Sequence, residues 1–278
     1  MTAMRRAKKG LSIVLSSVIM TAMLLLITVV AFEFSISILS AQAQSSEFQQ
    51  TQNDLLLLAD VIEDVSLKPA SAGYVTFSSQ SGAMSFVTNA SAMSINVTAA
   101  GDTRTLWEGS ASSLNYRAGL QAGGVVDKFL RGSASNILQN QSVPLTRVYL
   151  KYDGAPYAVL DSRNVRIMQL GTFYYSNRGD NQSGYLNVVE VTLLNITFGK
   201  IAYSNPLNIK ATNKAIVVPP LTVFLNDQVN LNFSVKIDNQ YTNYQVNGPS
   251  TTLQGDQVSG TMVRFVYLEV YISSVWGG

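Results

Sequence analysis

Apolar residues follow two patterns along this chain. From Leu11 to Phe32 (LSIVLSSVIMTAMLLLITVVAF) no charge, Gly or Pro interrupts the run. As a helix it spans roughly 33 Å at about 1.5 Å per residue, enough to cross a hydrocarbon core of about 30 Å. Below it, Phe48, Leu55, Leu58, Ile62 and Val65 recur at helical spacing, with Glu47, Asp54, Asp60 and Asp64 falling largely between them. That is an amphipathic continuation whose apolar stripe meets a packed domain. No Gly or Pro occurs between Leu11 and Lys68, and Pro69 and Gly73 stand where a helix stop belongs. The prediction is one helix over 11–68, roughly 85 Å long. Its segment 11–32 is a membrane span or filament core, and 33–68 is amphipathic.

From about Ala70 the period changes to two, punctuated by Gly, Asn, Ser and Asp. Met93, Ile95 and Val97 alternate with Ser94, Asn96 and Thr98; Leu231, Phe233, Val235 and Ile237 alternate with Asn232, Ser234, Lys236 and Asp238. Near the end, Val266, Leu268, Val270 and Ile272 share one strand face, opposite Tyr267, Glu269 and Tyr271. Further strands are expected over Leu145–Tyr152, Asn164–Ser176 and Tyr185–Phe198. The fold class is therefore α+β: a long N-terminal hydrophobic α-helix followed by an antiparallel β-sandwich-like head over 69–278, of one or two lobes. The Gly-, Ser- and Ala-rich stretch Gly109–Ser142 reads as an insertion, a short helix at Val125–Leu130, or a seam between lobes.

Composition narrows the function. The chain has no Cys and no His, which excludes disulfide scaffolds, thiolate metal sites and Ser-His-Asp catalysis. Charged residues are 13%, against roughly 25% for an average soluble domain. No nucleophile–base pair or metal cluster can be named, so the expectation is a structural protein, not an enzyme, with no cofactor and no metal. The formal net charge of +2 is local in origin, since Arg5, Arg6, Lys8 and Lys9 precede the apolar run and no basic cluster follows. A nucleic-acid partner is not expected. The flank predicts residues 1–10 on the cytoplasmic side and the head outside. An ordinary secretory signal fits poorly, because its apolar region is only about 7–15 residues long.

A basic leader ending in Lys8-Lys9-Gly10, followed by Leu11-Ser12 opening a charge-free helix, resembles the class III signal of archaeal type IV pilins and archaellins. The resemblance implies a cut by a prepilin peptidase between Gly10 and Leu11, with 1–10 as the removed leader. It also implies a membrane precursor that is handed to a pilus assembly platform and ATPase. The product is a helical homopolymer held through Leu11, Val14, Leu15, Val18, Leu25 and Val29. Leu15 stands where bacterial pilins usually carry Glu, which favours the archaeal branch. The run also lacks the Gly/Ala-rich, early-acidic start common in archaellins. An extracellular adhesive filament with a surface or cell target is thus the expectation, with a motility filament or a minor pilin as alternatives. An uncleaved, membrane-anchored binding protein is the alternative from another class.

Smaller features carry two readings each. Ser12, Ser16, Ser17, Thr21 and Thr28 permit close helix approach, or bond back to their own helix. Glycosylation sequons occur at Asn89, Asn96, Asn140, Asn181, Asn195 and Asn232. Asn96 and Asn232 fall on polar strand faces, while Asn195 shares a face with Val189, Val191 and Leu193. The acidic helix and basic head complement one another between subunits, or are simply solvated. Asp60, Glu63 and Asp64 read as an exposed helix face, and Asp180–Gly184 as a hairpin turn.

Overall fold

The computed structural model describes residues 3–78, 80–123, 127–177, 182–225, 230–247 and 257–275, and its described side chains begin at Leu15. Helix α1 (Ala3–Ser66) is a single 64-residue helix. Its C-terminal carbonyls do not rely on water alone. Asn213 Nδ2 donates to the carbonyls of Val65 and Ser66 at 3.1 and 2.9 Å, and Ser71 Oγ donates to Val65 at 3.0 Å. Gly73, expected at the helix stop, lies instead in the first strand, since the helix ends at Ser66. A Cβ there would overlap Val61, so glycine lets the first strand lie directly against α1.

The head consists of two seven-stranded sheets that are mostly antiparallel. The first contains β1 (Ala72–Phe77), β5 (Ile137–Leu138), β8 (Val165–Asn177), β9 (Gln182–Phe198), β10 (Leu207–Val217), β11 (Thr222–Leu225) and β14 (Gln257–Ser274). Its order is β1-β10-β14-β9-β8-β5, with β11 beside β14. The second sheet contains β2 (Ala83–Ala99), β3 (Asp102–Arg117), β4 (Lys128–Arg131), β6 (Arg147–Tyr152), β7 (Pro156–Asp161), β12 (Leu231–Ile237) and β13 (Gln240–Val246). Its order is β13-β12-β2-β3-β7-β6-β4. Two pairings depart from the antiparallel expectation. β9 and β14 run parallel from Ser183↔Gln257 to Phe198↔Ile272, and β5 is parallel to β8.

Within the stretch Gly109–Ser142, residues 109–117, 128–131 and 137–138 are strand, and the described residues between them are turns and loops. Residues 109–117 complete β3, which pairs with β2 on one edge and β7 on the other. Lys128 and Phe129 lie in β4, opposite Leu150 and Tyr149, in place of the expected helix at Val125–Leu130. Residues 125 and 126 lie outside the described residues. Ladder hydrogen bonds to β6 outweigh a helix tendency weakened by the adjacent Gly123-Gly124 pair.

Two apolar cores result. In one, the stripe of α1 (Phe48, Leu55, Leu58, Ile62, Val65) is buried against Val75, Phe77, Ile209, Ala211, Leu268 and Val270 of the first sheet and Leu114, Val148 and Leu160 of the second. In the other, Ile95, Val97, Phe233 and Val235 of the second sheet meet Val189, Val191, Val263 and Phe265 of the first. β9 contributes to both: Val189, Val191 and Leu193 enter one core, and Leu194 and Ile196 the other. This accounts for the apolar residues on both of its faces, since each face meets a core along part of the strand's length.

A buried ion cluster ties the second sheet together. Arg147 and Asp161 sit opposite one another on β6 and β7. Asp161, fully buried, accepts from Arg147 Nε and Nη2 at 2.7 and 2.9 Å and from Arg163 Nε at 2.8 Å.

Candidate functional site

The upper part of α1 stands apart from both cores. Leu15, Val18, Leu25 and Val29, four of the predicted polymerisation residues, are each 60–63% exposed. Exposed large apolar side chains continue through Phe32, Phe34, Ile36 and Leu39. Lys8, Lys9, Gly10, Leu11 and Val14 lie on the same helix, and their side chains are outside those described. A contiguous apolar surface of this extent is far larger than soluble monomers tolerate. The helix is long and apolar enough to cross a membrane.

Three of its described hydroxyls bond back to the helix itself. Thr21 Oγ1 donates to the Ser17 carbonyl at 2.9 Å, Thr28 to Leu24 at 2.7 Å and Ser35 to Ala31 at 2.7 Å. Of the five small polar residues given two readings, Thr21 and Thr28 adopt the back-bonded one. A helix satisfied in this way carries no unpaired hydroxyl from them into hydrocarbon. Glu33 is exposed at the lower edge of the charge-free run.

Between the exposed segment and the docked stripe lies a polar collar that sequence reasoning missed. Glu47 accepts from the backbone amides of Gln80, Ser81 and Gly82 at 3.0, 2.9 and 3.1 Å, from Ser81 Oγ at 2.6 Å and from Tyr116 Oη at 2.7 Å. Beside it, Gln44 Oε1 accepts from the Gln121 amide at 2.9 Å and Ser45 Oγ from the Gly123 amide at 3.0 Å. The available signal was positional: three polar residues of suitable type directly precede Phe48, the first buried position. Glu47→Ala is expected to leave these amides without their acceptor and to cost about 1–3 kcal/mol. Urea denaturation, together with faster amide exchange at residues 80–82, checks this.

The acidic helix finds its partners within the same chain. Arg131 pairs with Asp60 and, at 3.2 Å, with Glu63. Glu63 also accepts from the Thr146 amide and hydroxyl at 2.8 and 2.6 Å. Glu63 therefore belongs to the helix–head joint, not to an exposed face with Asp60 and Asp64. Of the charges read either as complementary between subunits or as simply solvated, Asp60 and Glu63 pair with Arg131 inside one chain. Burial holds the Asp54 carboxyl above its ordinary value of 3.8, despite a hydrogen bond from Gln50 that favours ionisation. The folded state then binds this proton more tightly than the unfolded state, so stability falls as pH rises from 3.8 through the folded pKa. Asp54→Asn is expected to stabilise the chain more at about pH 7 than at about pH 3, as paired urea titrations would record.

The sequons separate by exposure. Asn89, Asn140 and Asn232 are exposed, and Asn96 is half-buried on the outer side of β2, opposite Ser234. Asn195 Nδ2, the atom a glycan would modify, donates instead to Tyr267 Oη at 3.0 Å. Asp180 and Asn181 lie outside the described residues, while Gln182–Gly184 of the predicted turn open β9. Comparison with known proteins returned no matching family model, curated protein or solved structure.

Proposed function

We propose that this chain is a pilin-like subunit of an extracellular filament, inserted through its N-terminal helix, clipped between Gly10 and Leu11 and polymerised through Leu11–Phe32. The observation that carries the reading is a charge-free apolar helix that lies outside the head's cores and begins directly behind Lys8-Lys9-Gly10. Lipid covers such a surface in the precursor, and copies of the same helix cover it in the assembled state. Because lipid and Leu are about equally apolar, packing quality governs the exchange. The collar at Gln44, Ser45 and Glu47 fixes the head to the helix, so that a helical array of stems displays heads in one orientation. The basic flank keeps the leader cytoplasmic and the head outside. The polymer's use is adhesion, with the prepilin peptidase, assembly platform and ATPase as its biogenesis partners.

N-terminal peptide mass spectrometry and negative-stain imaging of material sheared from intact cells test this directly. The expected result is a terminus at Leu11 in a fraction of regular fibres. Gly10→Val is expected to retain the leader and abolish fibres. An intact Met1 or Thr2 terminus, found only in the membrane fraction, overturns the proposal in favour of an uncleaved anchor that carries the head as a binding protein. A polar cleft in the head favours that second reading.

A further inference from the structure

The cleft has a volume of about 510 Å³ and opens between β4, β6 and the β12–β13 turn. Its size falls within the roughly 300–1,000 Å³ of small-ligand sites. The walls are held in place before any ligand arrives. Arg147 and Arg163 are fixed by Asp161 beneath them, and Arg163 also donates to Tyr149 Oη at 3.0 Å. The turn is pinned to β2, because the Asp238 amide donates to the Ala92 carbonyl at 2.7 Å while Asp238 Oδ1 accepts from the Ala92 amide at 2.9 Å. Asn136 accepts from the Val165 amide at 2.9 Å and donates to Thr242 Oγ1 at 3.3 Å. A ligand entering this site orders little that is not already ordered.

Charge and hydrogen-bonding inventory select the ligand class. Arg147 and Arg163 balance Asp161 below and Asp238 at the rim, so the cleft has no excess sign with which to attract a phosphate, a carboxylate or a cation. Arg147 gives Nε and Nη2 to Asp161, which leaves Nη1 as a donor. The exposed amides of Asn239 and Gln240 both donate and accept, and the second oxygen of Asp238 accepts. Phe129, 40% exposed and packed 5.4 Å from the Tyr149 ring, supplies a flat apolar face. Vicinal hydroxyls that donate and accept, above a C–H face that lies on an aromatic ring, complement this set. We infer that the cleft binds a neutral saccharide unit. The site is built entirely within the head and does not depend on cleavage at Gly10.

The test uses the full chain in lauryldimethylamine oxide, a detergent without a sugar headgroup. Saturation-transfer NMR compares methyl glucoside, galactoside and mannoside with galacturonate and methyl phosphate. Transfer to at least one neutral glycoside, exceeding that to either anion, is the expected result. Phe129→Ala, Asn239→Ala and Gln240→Ala remove exposed groups outside both cores, and each is expected to weaken binding roughly tenfold with an unchanged circular dichroism spectrum. The inference is overturned by a folded protein that shows no transfer to any neutral glycoside. A preference for galacturonate or methyl phosphate overturns it too, as does unchanged affinity in all three variants.

Discussion

A fragment beginning at Ser40 is expected to fold as a soluble head, whereas one beginning at Leu67 is expected not to fold. The first deletion removes side chains that touch neither core, among them Leu15, Leu25, Val29 and Phe34. It keeps the collar and the docked stripe. The second deletion removes Phe48, Leu55, Leu58, Ile62 and Val65, each at most 4% exposed. Burying a large apolar side chain contributes about 1.5–3 kcal/mol, so these five together contribute roughly 10 kcal/mol. A whole domain is stable by only about 5–15 kcal/mol. Loss of the stripe also leaves Val75, Phe77, Ile209 and Val270 facing water. Thermal and urea unfolding of the two fragments check the expectation. Equal stability in both would mean that the lower helix is a tether and not part of the core.

Asp161→Ala is expected to destabilise the head by about 3–5 kcal/mol, the range for breaking a buried ion pair by removing one partner. Asp161 is fully buried and Arg147 is 6% exposed, so the guanidinium left behind cannot recover its hydration. Arg163 loses its acceptor as well and retains Ser91 Oγ at 3.0 Å and the Tyr149 hydroxyl. Burial first, and the Asp161 carboxylate second, hold the Tyr149 hydroxyl above its usual range. Combining Asp161→Leu with Arg147→Met and Arg163→Leu is expected to recover most of the loss, because apolar replacement of a whole buried ionic cluster is often close to neutral. Urea denaturation of single and combined variants at Arg147 and Asp161 measures the coupling. A loss below about 1 kcal/mol for Asp161→Ala would place the cluster among exposed pairs of little consequence.

How much of this could be read beforehand depended on the range of the interactions involved. The docked stripe was legible because helical hydrogen bonds are local and burial marks one side at a fixed period. Phe48, Leu55, Leu58, Ile62 and Val65 are all buried as their spacing predicted. β2 and β12 were legible for the corresponding reason, since each has one covered face: Ile95 and Val97 are buried beside half-buried Asn96, and Phe233 and Val235 beside half-buried Ser234. β9 was legible as a strand but not as a central one, because its apolar residues do not say what lies on each side. Its parallel pairing with β14 joins segments far apart in the chain, and alternation carries no information about a partner. Charges were the least legible. Glu47 follows no rule of helix periodicity, and its role exists only because folding brings residues 80–82 and Tyr116 beside it.

The amino-acid sequence alone thus determined the elements: a charge-free helix, its amphipathic continuation and a set of strands with their inward faces. Each of these follows from the period of apolar residues over a few turns or pleats. Tertiary structure alone decided how far the helix enters the head, which strands are covered twice, and which carboxylates are joints and which are solvated. It also decided that Arg147, Asn136 and the Asp238–Gln240 turn share one cleft. Those outcomes rest on contacts between residues distant in the chain, where the energy of each pairing depends on geometry that no local pattern contains.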